Sequence, residues 1–376
     1  MADDRVKLGF FLPDFRAGGI EKIVLNLLWR LDPARVSTTL ILASRRGALL
    51  EQLPPGQAVV DLAGRKMRTA GPALARVLRA RQIEVVYSGT NAANLTLLVA
   101  AALMARPPRL VVSEHTPIEL FFREAKWLAV RRFAMRLLYR RADVIAVPYG
   151  ALGAELCAAL RAPDLAVREF LNPVIEADVV GRAAPRPDHP AAAGRYFVAA
   201  GRLEHVKGFD YLIAAFARVA AQHPDLRLVI LGEGSERGAL LDQARGLGLA
   251  DRVLLPGHAA DPVAWFHHAT GLVVSSRREG TPNVMVEAMA AGTPVIATSC
   301  SYGPIWLVCD GKAGLVADPR DPGALASAME RLAVDTALAA DLRAAGLEQA
   351  RRFTFDRAIP PLEDAFLALA RARRGG

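Results

Sequence analysis

Two glutamates, Glu279 and Glu287, stand with seven residues between them in the stretch SSRREGTPNVMVEAMAAGTPVIAT, 275 to 298. The first follows the apolar strand GLVV (271 to 274), and the second lies in a helix that Thr281 is placed to cap and Pro282 to open. Asn283 and Glu287 are four residues apart and so share a helix face, with Val284, Met285, Ala288 and Met289 as the apolar side. Gly292 ends that helix, and Pro294 leads into a buried strand, VIA. A carboxylate at the carboxyl end of a strand, beside a helix start with free N–H groups, suits a polar and partly anionic ligand.

Four more loops fall where a strand gives way to a helix. In RAGGIEKIVLNL (16 to 27), Gly18 and Gly19 let the backbone approach a phosphate or sugar closely. In VVSEHTP (111 to 117), Glu114 and His115 follow a buried strand directly. In AAGRLEHVKGFDYLIAAF (199 to 216), Arg202 offers a bidentate grip on phosphate oxygens and Lys207 a mobile point charge, together enough to neutralise a diphosphate. In LVILGEGSERGAL (228 to 240), Gly232 and Gly234 resemble the start of a dinucleotide fingerprint, but Gly238 falls one residue late. That loop reads as a turn lining a cleft, with no implication of NAD.

The elements that must position these residues alternate along the whole chain. Strands are expected at 6 to 12, 38 to 43, 83 to 87, 109 to 113 and 143 to 147, then at 195 to 200, 226 to 231, 252 to 256, 271 to 274, 295 to 298 and 314 to 317. They are short unalternating apolar runs, as strands covered on both faces are, and amphipathic helices fill the gaps. This rhythm predicts an α/β chain with two doubly wound parallel sheets, and 376 residues is long for a single core. The proline-rich stretch GRAAPRPDHPAAAG (181 to 194) follows a break near Asn172 and Pro173. We therefore expect one domain over 1–172, a second over 173–356, and a helix over 357–376, interrupted at Pro360 and Pro361, that packs back on the first.

Composition removes several classes of function. Half of the residues are apolar, which excludes a disordered chain. Cys157, Cys300 and Cys309 are odd in number and lack metal-ligand spacing, so a reducing, cytoplasmic compartment is expected. The start MADDR leaves no room for a signal peptide before the first strand. The stretch LTLLVAAALMA (95 to 105) falls short of the roughly 18 to 20 residues of a spanning helix and reads as a buried one. A net charge of +9 raises the question of nucleic acid, but the cations are scattered and lack interleaved aromatics. They concentrate only in FFREAKWLAVRRFAMRLLYRR (121 to 141), where Trp127, Val130, Phe133, Leu137 and Leu138 read as a core-packing face. Arg123, Lys126, Arg131, Arg132, Arg136, Arg140 and Arg141 form a basic back able to meet anionic lipid headgroups.

The series GGIEKIVLNL, SEHTP, AGRLEHVKGFDYLIAAF, LVILGEGSER, RVLLPGH and EGTPNVMVEAMAAGTPVIAT, in this order, resembles glycosyltransferase family 4 of the GT-B fold over nearly the whole chain. The resemblance implies a retaining transfer of a sugar from a nucleotide-diphosphate donor, without cofactor or metal, onto a glycan or lipid-linked acceptor of a bacterial surface polysaccharide or glycolipid. It implies that Arg202 and Lys207 hold the diphosphate and Glu287 the ribose, while Glu279 with Gly280, Thr281, Pro282 and Asn283 faces the donor sugar. Gly18, Gly19 and Gly232 would border the donor, and the loop LLPGH (254 to 258), with Gly257, would read the base, UDP being preferred over GDP. His115 would approach the sugar from the first domain. No Asp-x-Asp occurs, which agrees with metal independence. One departure stands out: Trp306 in SYGPIWLV takes the place of a glutamate that relatives carry. It motivates the reading of an inactive nucleotide-sugar-binding scaffold, and a nucleotide-sugar epimerase of the same fold is the other alternative.

Overall fold

The computed structural model describes residues 4–16, 18–118 and 128–375. Arg123, Lys126 and Trp127 of the basic stretch lie outside the described residues. The chain forms two compact units, Met1–Pro173 with Phe355–Gly376, and Val174–Thr354.

In the first unit the sheet contains β1 (Val6–Leu12), β2 (Val36–Leu42), β3 (Ala58–Asp61), β4 (Val85–Ser88), β5 (Arg109–Ser113), β6 (Val144–Val147) and β7 (Val167–Glu169). All pairs are parallel, and the order is 3-2-1-4-5-6-7. The helices are α1 (Gly19–Arg30), α2 (Met67–Ala80), α3 (Asn91–Ala102), α4 (Leu128–Tyr139) and α5 (Gly150–Leu160). The central strands bury nearly all of their side chains, Lys7 and Arg109 being part-exposed, which is why they read as continuous apolar runs. The edge strands β3 and β7 were not expected from sequence; their residues are largely part-exposed, so no apolar run marks them.

The second unit has a six-stranded parallel sheet of β8 (Arg195–Ala200), β9 (Leu226–Leu231), β10 (Val253–Gly257), β11 (Gly271–Val274), β12 (Val295–Thr298) and β13 (Leu315–Ala317), in the order 10-9-8-11-12-13. Its helices are α6 (Phe209–Gln222), α7 (Arg237–Gly246), α8 (Pro262–His267), α9 (Asn283–Ala290), α10 (Tyr302–Leu307), α11 (Pro322–Val334) and α12 (Thr336–Ala350). Leu212, Ile213 and Phe216 of α6 and Leu325, Met329 and Leu332 of α11 close its main core over Phe197, Leu228 and Ile230.

The last helix, α13 (Phe355–Arg374), belongs to the first unit. Pro360 and Pro361 lie inside it without interrupting it. They lack the N–H groups that would bond the carbonyls of Asp356 and Arg357, but those two residues are exposed, where water can take the place of the missing donors. Burial of Ile359, Leu362 and Phe366 holds the helix in place, with Phe366 edge-on to Phe10 at 6.4 Å between ring centroids and to Tyr87 at 6.2 Å.

Two helix faces differ from the sequence reading. On α4, Val130, Phe133 and Leu137 are exposed, and Met135 and Tyr139 point into the core instead. Periodicity marks a stripe without saying which stripe is inward, and the Tyr139 hydroxyl supplies the reason by donating to the buried Glu114 carboxylate. The stretch 95 to 105 is not wholly buried either, since Val99 and Leu103 reach solvent. Among the described residues no helix is long and apolar enough to cross a membrane, and the three cysteines are unpaired.

Candidate active site

In an open parallel sheet, ligands collect outside the carboxyl ends of two neighbouring strands whose connections leave in opposite directions. The order of the second sheet puts that point between β8 and β11. The loop after β8 carries Arg202 and Lys207, and the loop after β11 carries Glu279 and Gly280 to Pro282. Topology alone therefore brings together side chains 72 residues apart.

The contact is direct. Lys207 Nζ donates to Glu279 Oε1 at 2.5 Å, and Ser276 Oγ donates to the same oxygen at 2.8 Å. Neither partner is fully exposed, with side-chain accessibilities of 23% for Lys207 and 12% for Glu279. Ser301 Oγ holds the Glu279 carbonyl at 2.7 Å, and Ser275 Oγ holds that of Lys207 at 3.0 Å. Because both side-chain bonds fall on Oε1, Oε2 is left to accept from a ligand hydroxyl. Arg202 is more exposed and pairs with Glu204 at 2.7 Å, and such a pair stabilises little in water.

The two loops are fastened by a residue that sequence reasoning missed. Arg277 grips Asp210 with two bonds of 2.7 and 2.5 Å, donates to the His205 carbonyl at 2.7 Å, and stacks 3.9 Å from the Tyr211 ring centroid. Burial alone would push the Asp210 carboxyl up, but the Arg277 guanidinium more than offsets this and holds it below the ordinary carboxylate range. Gly208, at φ +65°, makes the turn into α6 so close to the β11 loop that a Cβ there would lie 2.2 Å from the Ser275 carbonyl oxygen.

The remaining expected residues of the second unit lie on the neighbouring strand ends and helices. Gly232 follows β9, and its N–H donates 2.8 Å to the carbonyl of Gly257 at the end of β10. Glu287 and Asn283 are part-exposed on α9, as their four-residue spacing required, and Val284 shares their side while Val286 is buried. Pro282 occupies the cap position of α9 and no side chain caps it; the Thr281 hydroxyl is buried without a hydrogen bond. Gly238 sits within α7 with open space around it, as a chance glycine would. The Trp306 ring packs edge-on to Phe353 at 5.8 Å between centroids and lies 5.8 Å from the Arg352 guanidinium. Among the described residues no group of three or more His, Cys, Asp and Glu side chains could hold a metal ion.

The first unit has its own strand crossover, between β1 and β4. Gly18 caps α1 and Gly19 is its first residue, but a Cβ on Gly18 would lie 2.1 Å from the Glu21 carboxylate. An acidic side chain thus rests against the glycine pair where the resemblance implies a phosphate.

His115 follows β5, with Nε2 2.6 Å from Ser113 Oγ, while Nδ1 is shielded and has no partner. Burial lowers its pKa to about 3, so the ring is neutral and offers a hydrogen bond rather than a charge. Its neighbour Glu114 turns inward. Oε1 accepts from Tyr139 and, at 2.8 Å, from Asn94, and Oε2 accepts from Asn91 at 2.6 Å. Burial raises this carboxyl to about 7, although the three donors pull the other way. A folded pKa above the unfolded one contributes stability that is complete below about 4.5 and lost as pH rises toward 7. Wild type should therefore lose stability against Glu114→Gln over that window, by up to about 1.4 kcal/mol per pH unit. Denaturant melts of both proteins from pH 4 to 8 would show it, and parallel curves would refute it.

Two doubly wound units with polar residues gathered at strand crossovers define a nucleotide-binding type of architecture, and comparison with known proteins makes the class specific. Residues 194–335 match the family described as glycosyl transferases group 1, and residues 17–174 match glycosyltransferase family 4. With one match on each unit, the chain belongs to the family 4 glycosyltransferases of GT-B fold. The lipopolysaccharide core biosynthesis glycosyltransferase LpsE of Rhizobium meliloti is 38% identical over 39% of this chain and 42% of its own length. The N-acetylgalactosamine-N,N'-diacetylbacillosaminyl-diphospho-undecaprenol 4-alpha-N-acetylgalactosaminyltransferase of Campylobacter jejuni is 26% identical over 88% of this chain and 91% of its own. Anabaena HepE, solved in complex with UDP and glucose, superposes with a TM-score of 0.79 at 21% identity, over 97% of this chain and 100% of that one. The chain spans 22%, 28% and 42% of the length of the first curated relatives that it matches.

Proposed function

We propose that this chain moves a hexosyl group from a UDP-sugar, with retention at the anomeric carbon, to a lipid-linked or glycan acceptor in surface polysaccharide or glycolipid synthesis. The observation that carries the reading is the Lys207–Glu279 contact beside Arg202 at the strand crossover. As the bond from sugar to phosphate breaks, negative charge grows on the departing diphosphate. Fixed cations there stabilise the transition state more than the ground state. Glu279 holds the Lys207 ammonium in position and keeps an oxygen for a sugar hydroxyl. Glu287 takes the ribose hydroxyls. Two cations in place of a divalent ion make the reaction metal-independent, and no cofactor takes part.

UDP is favoured because HepE has been solved with UDP and with UDP-glucose. A lipid-linked acceptor is favoured by the name of the Campylobacter relative. Work at the inner face of a membrane is favoured by the exposed Val130, Phe133 and Leu137 on an arginine-rich helix, an interfacial pattern. In a panel of UDP- and GDP-sugars, one UDP-sugar should raise the melting temperature and be consumed at the same rate with and without EDTA. Consumption that stops in EDTA, or a free epimer in place of transfer, would refute the proposal.

A further inference from the structure

The α2–α3 face of the first unit holds a groove of about 410 Å³ that none of the site residues line. Its walls are Met67, Gly71 and Pro72 from α2 and Ala92, Leu95 and Val99 from α3. It begins at the carboxyl edge of the sheet, because α2 follows β3 and α3 follows β4, and His115 follows the adjacent β5 at the same edge. The Thr96 hydroxyl lies beneath it, within hydrogen-bond reach of the Met67 carbonyl of α2 at 2.9 Å and of the Ala92 carbonyl of its own helix at 2.8 Å.

Charge at its mouth is one-sided. From Gly64 to Gln82 the chain has six cations, Arg65, Lys66, Arg68, Arg76, Arg79 and Arg81, and no acid. Arg65, Lys66 and Arg68 are exposed at the start of α2 and make no ion pair among the described residues. The start of α2 also has no capping side chain and no acidic first turn, so the positive end of its dipole adds to theirs. Apolar surface continues beyond the far end: of the ten exposed large hydrophobics among the described residues, Val99 and Leu103 are on α3 or just past it, and Val130, Phe133 and Leu137 are on α4, which packs on α3.

Resting on the glycosyltransferase reading, the geometry points to this groove as the seat of a lipid-linked diphosphate acceptor, hydrocarbon along Leu95 and Val99, and diphosphate on Arg65, Lys66 and Arg68. An apolar trough with an all-cationic mouth complements a molecule that has a greasy chain on one side of a diphosphate and a sugar on the other. Placed so, the sugar end leads toward the edge that carries His115.

Farnesyl diphosphate, a soluble molecule of this chemistry, tests the inference by titration into the full chain. It should bind at least tenfold more tightly than inorganic pyrophosphate. The double variant Arg65→Ala/Arg68→Ala should lose at least tenfold, since each charged hydrogen bond is among the stronger polar contacts, and Arg65→Lys/Arg68→Lys should keep most of the affinity. Leu95→Gln, at a half-buried position that tolerates a polar side chain, should remove the advantage over pyrophosphate. UDP-induced stabilisation should be unchanged in each variant, because none of the substituted residues is among those proposed to hold the donor, and Arg202, Lys207, Glu279 and Glu287 lie in the other unit. Equal binding of pyrophosphate and farnesyl diphosphate in wild type would overturn the inference. So would variants that lose flotation with phosphatidylglycerol vesicles yet keep farnesyl diphosphate, which would assign the cations to the bulk membrane. Absence of any UDP-sugar binding by wild type would instead defeat the glycosyltransferase reading.

Discussion

Lys207→Ala should lower turnover of the donor sugar by about 10²- to 10³-fold, the usual effect of removing one preorganised group from the position where charge develops. The loss falls mainly on kcat, because the ammonium meets more negative charge in the transition state than in the bound donor. Glu279→Ala acts on the same group from the other side. Without its carboxylate, Lys207 loses the 2.5 Å contact that aims it, and Ser276 loses its acceptor. The two substitutions are therefore non-additive: the double variant should be little worse than the more damaged single one. Steady-state rates for wild type, both singles and the double close the cycle. Near-normal turnover in either single variant would place the chemistry elsewhere, and full additivity would show that the pair does not act as a unit.

The relation between Lys207 and Glu279 marks what could be read in the sequence and what could not. Both residues stood out by type, beside glycines at strand ends. Their contact depends on β8 and β11 being neighbours, which follows from strand order and not from spacing along the chain. Ser276, Ser301 and the Arg277–Asp210 clamp carried no signal of their own, since a serine or a surface arginine is unremarkable until its partner is known. Buried central strands were legible because coverage on both faces leaves only apolar residues, whereas β3 and β7 lie at sheet edges where part-exposed residues break the run. On α4 the helical period was visible, but its inward direction was set by Tyr139 reaching Glu114, a polar contact that a hydrophobic pattern does not record. Pro360 and Pro361 read as an interruption because propensity weighs two missing N–H groups. It does not weigh the burial of Ile359, Leu362 and Phe366 that outcompetes them.

Gly232→Ala should destabilise the second unit strongly, while Gly238→Ala, six residues on in the same glycine-rich loop and helix, should not. Gly232 has φ +136°, a conformation that side-chain-bearing residues rarely adopt, and a Cβ there would lie 2.0 Å from the Gly201 carbonyl oxygen. That obstacle is backbone and cannot rotate away. Conformational strain of about 1–3 kcal/mol adds to the displacement of a carbonyl between two central strands, so a loss of roughly 3 kcal/mol or more is expected. For a unit of this size it corresponds to a melting temperature lower by roughly 6–12 °C. At Gly238 no heavy atom beyond its own chain neighbours and helix backbone lies within 4 Å of the new methyl group, and the residue is helical, so alanine gains up to about 0.5–1 kcal/mol. The first substitution also reaches the proposed site: Gly201 immediately precedes Arg202, and moving its carbonyl shifts the loop that carries Arg202 and Lys207. Gly232→Ala should therefore lose turnover even at a temperature where it remains folded, and Gly238→Ala should keep it. Melting curves together with rates at 15 °C decide the matter, and a Gly232→Ala protein with wild-type stability would show that Gly201 and Gly232 do not approach as closely as the sheet requires.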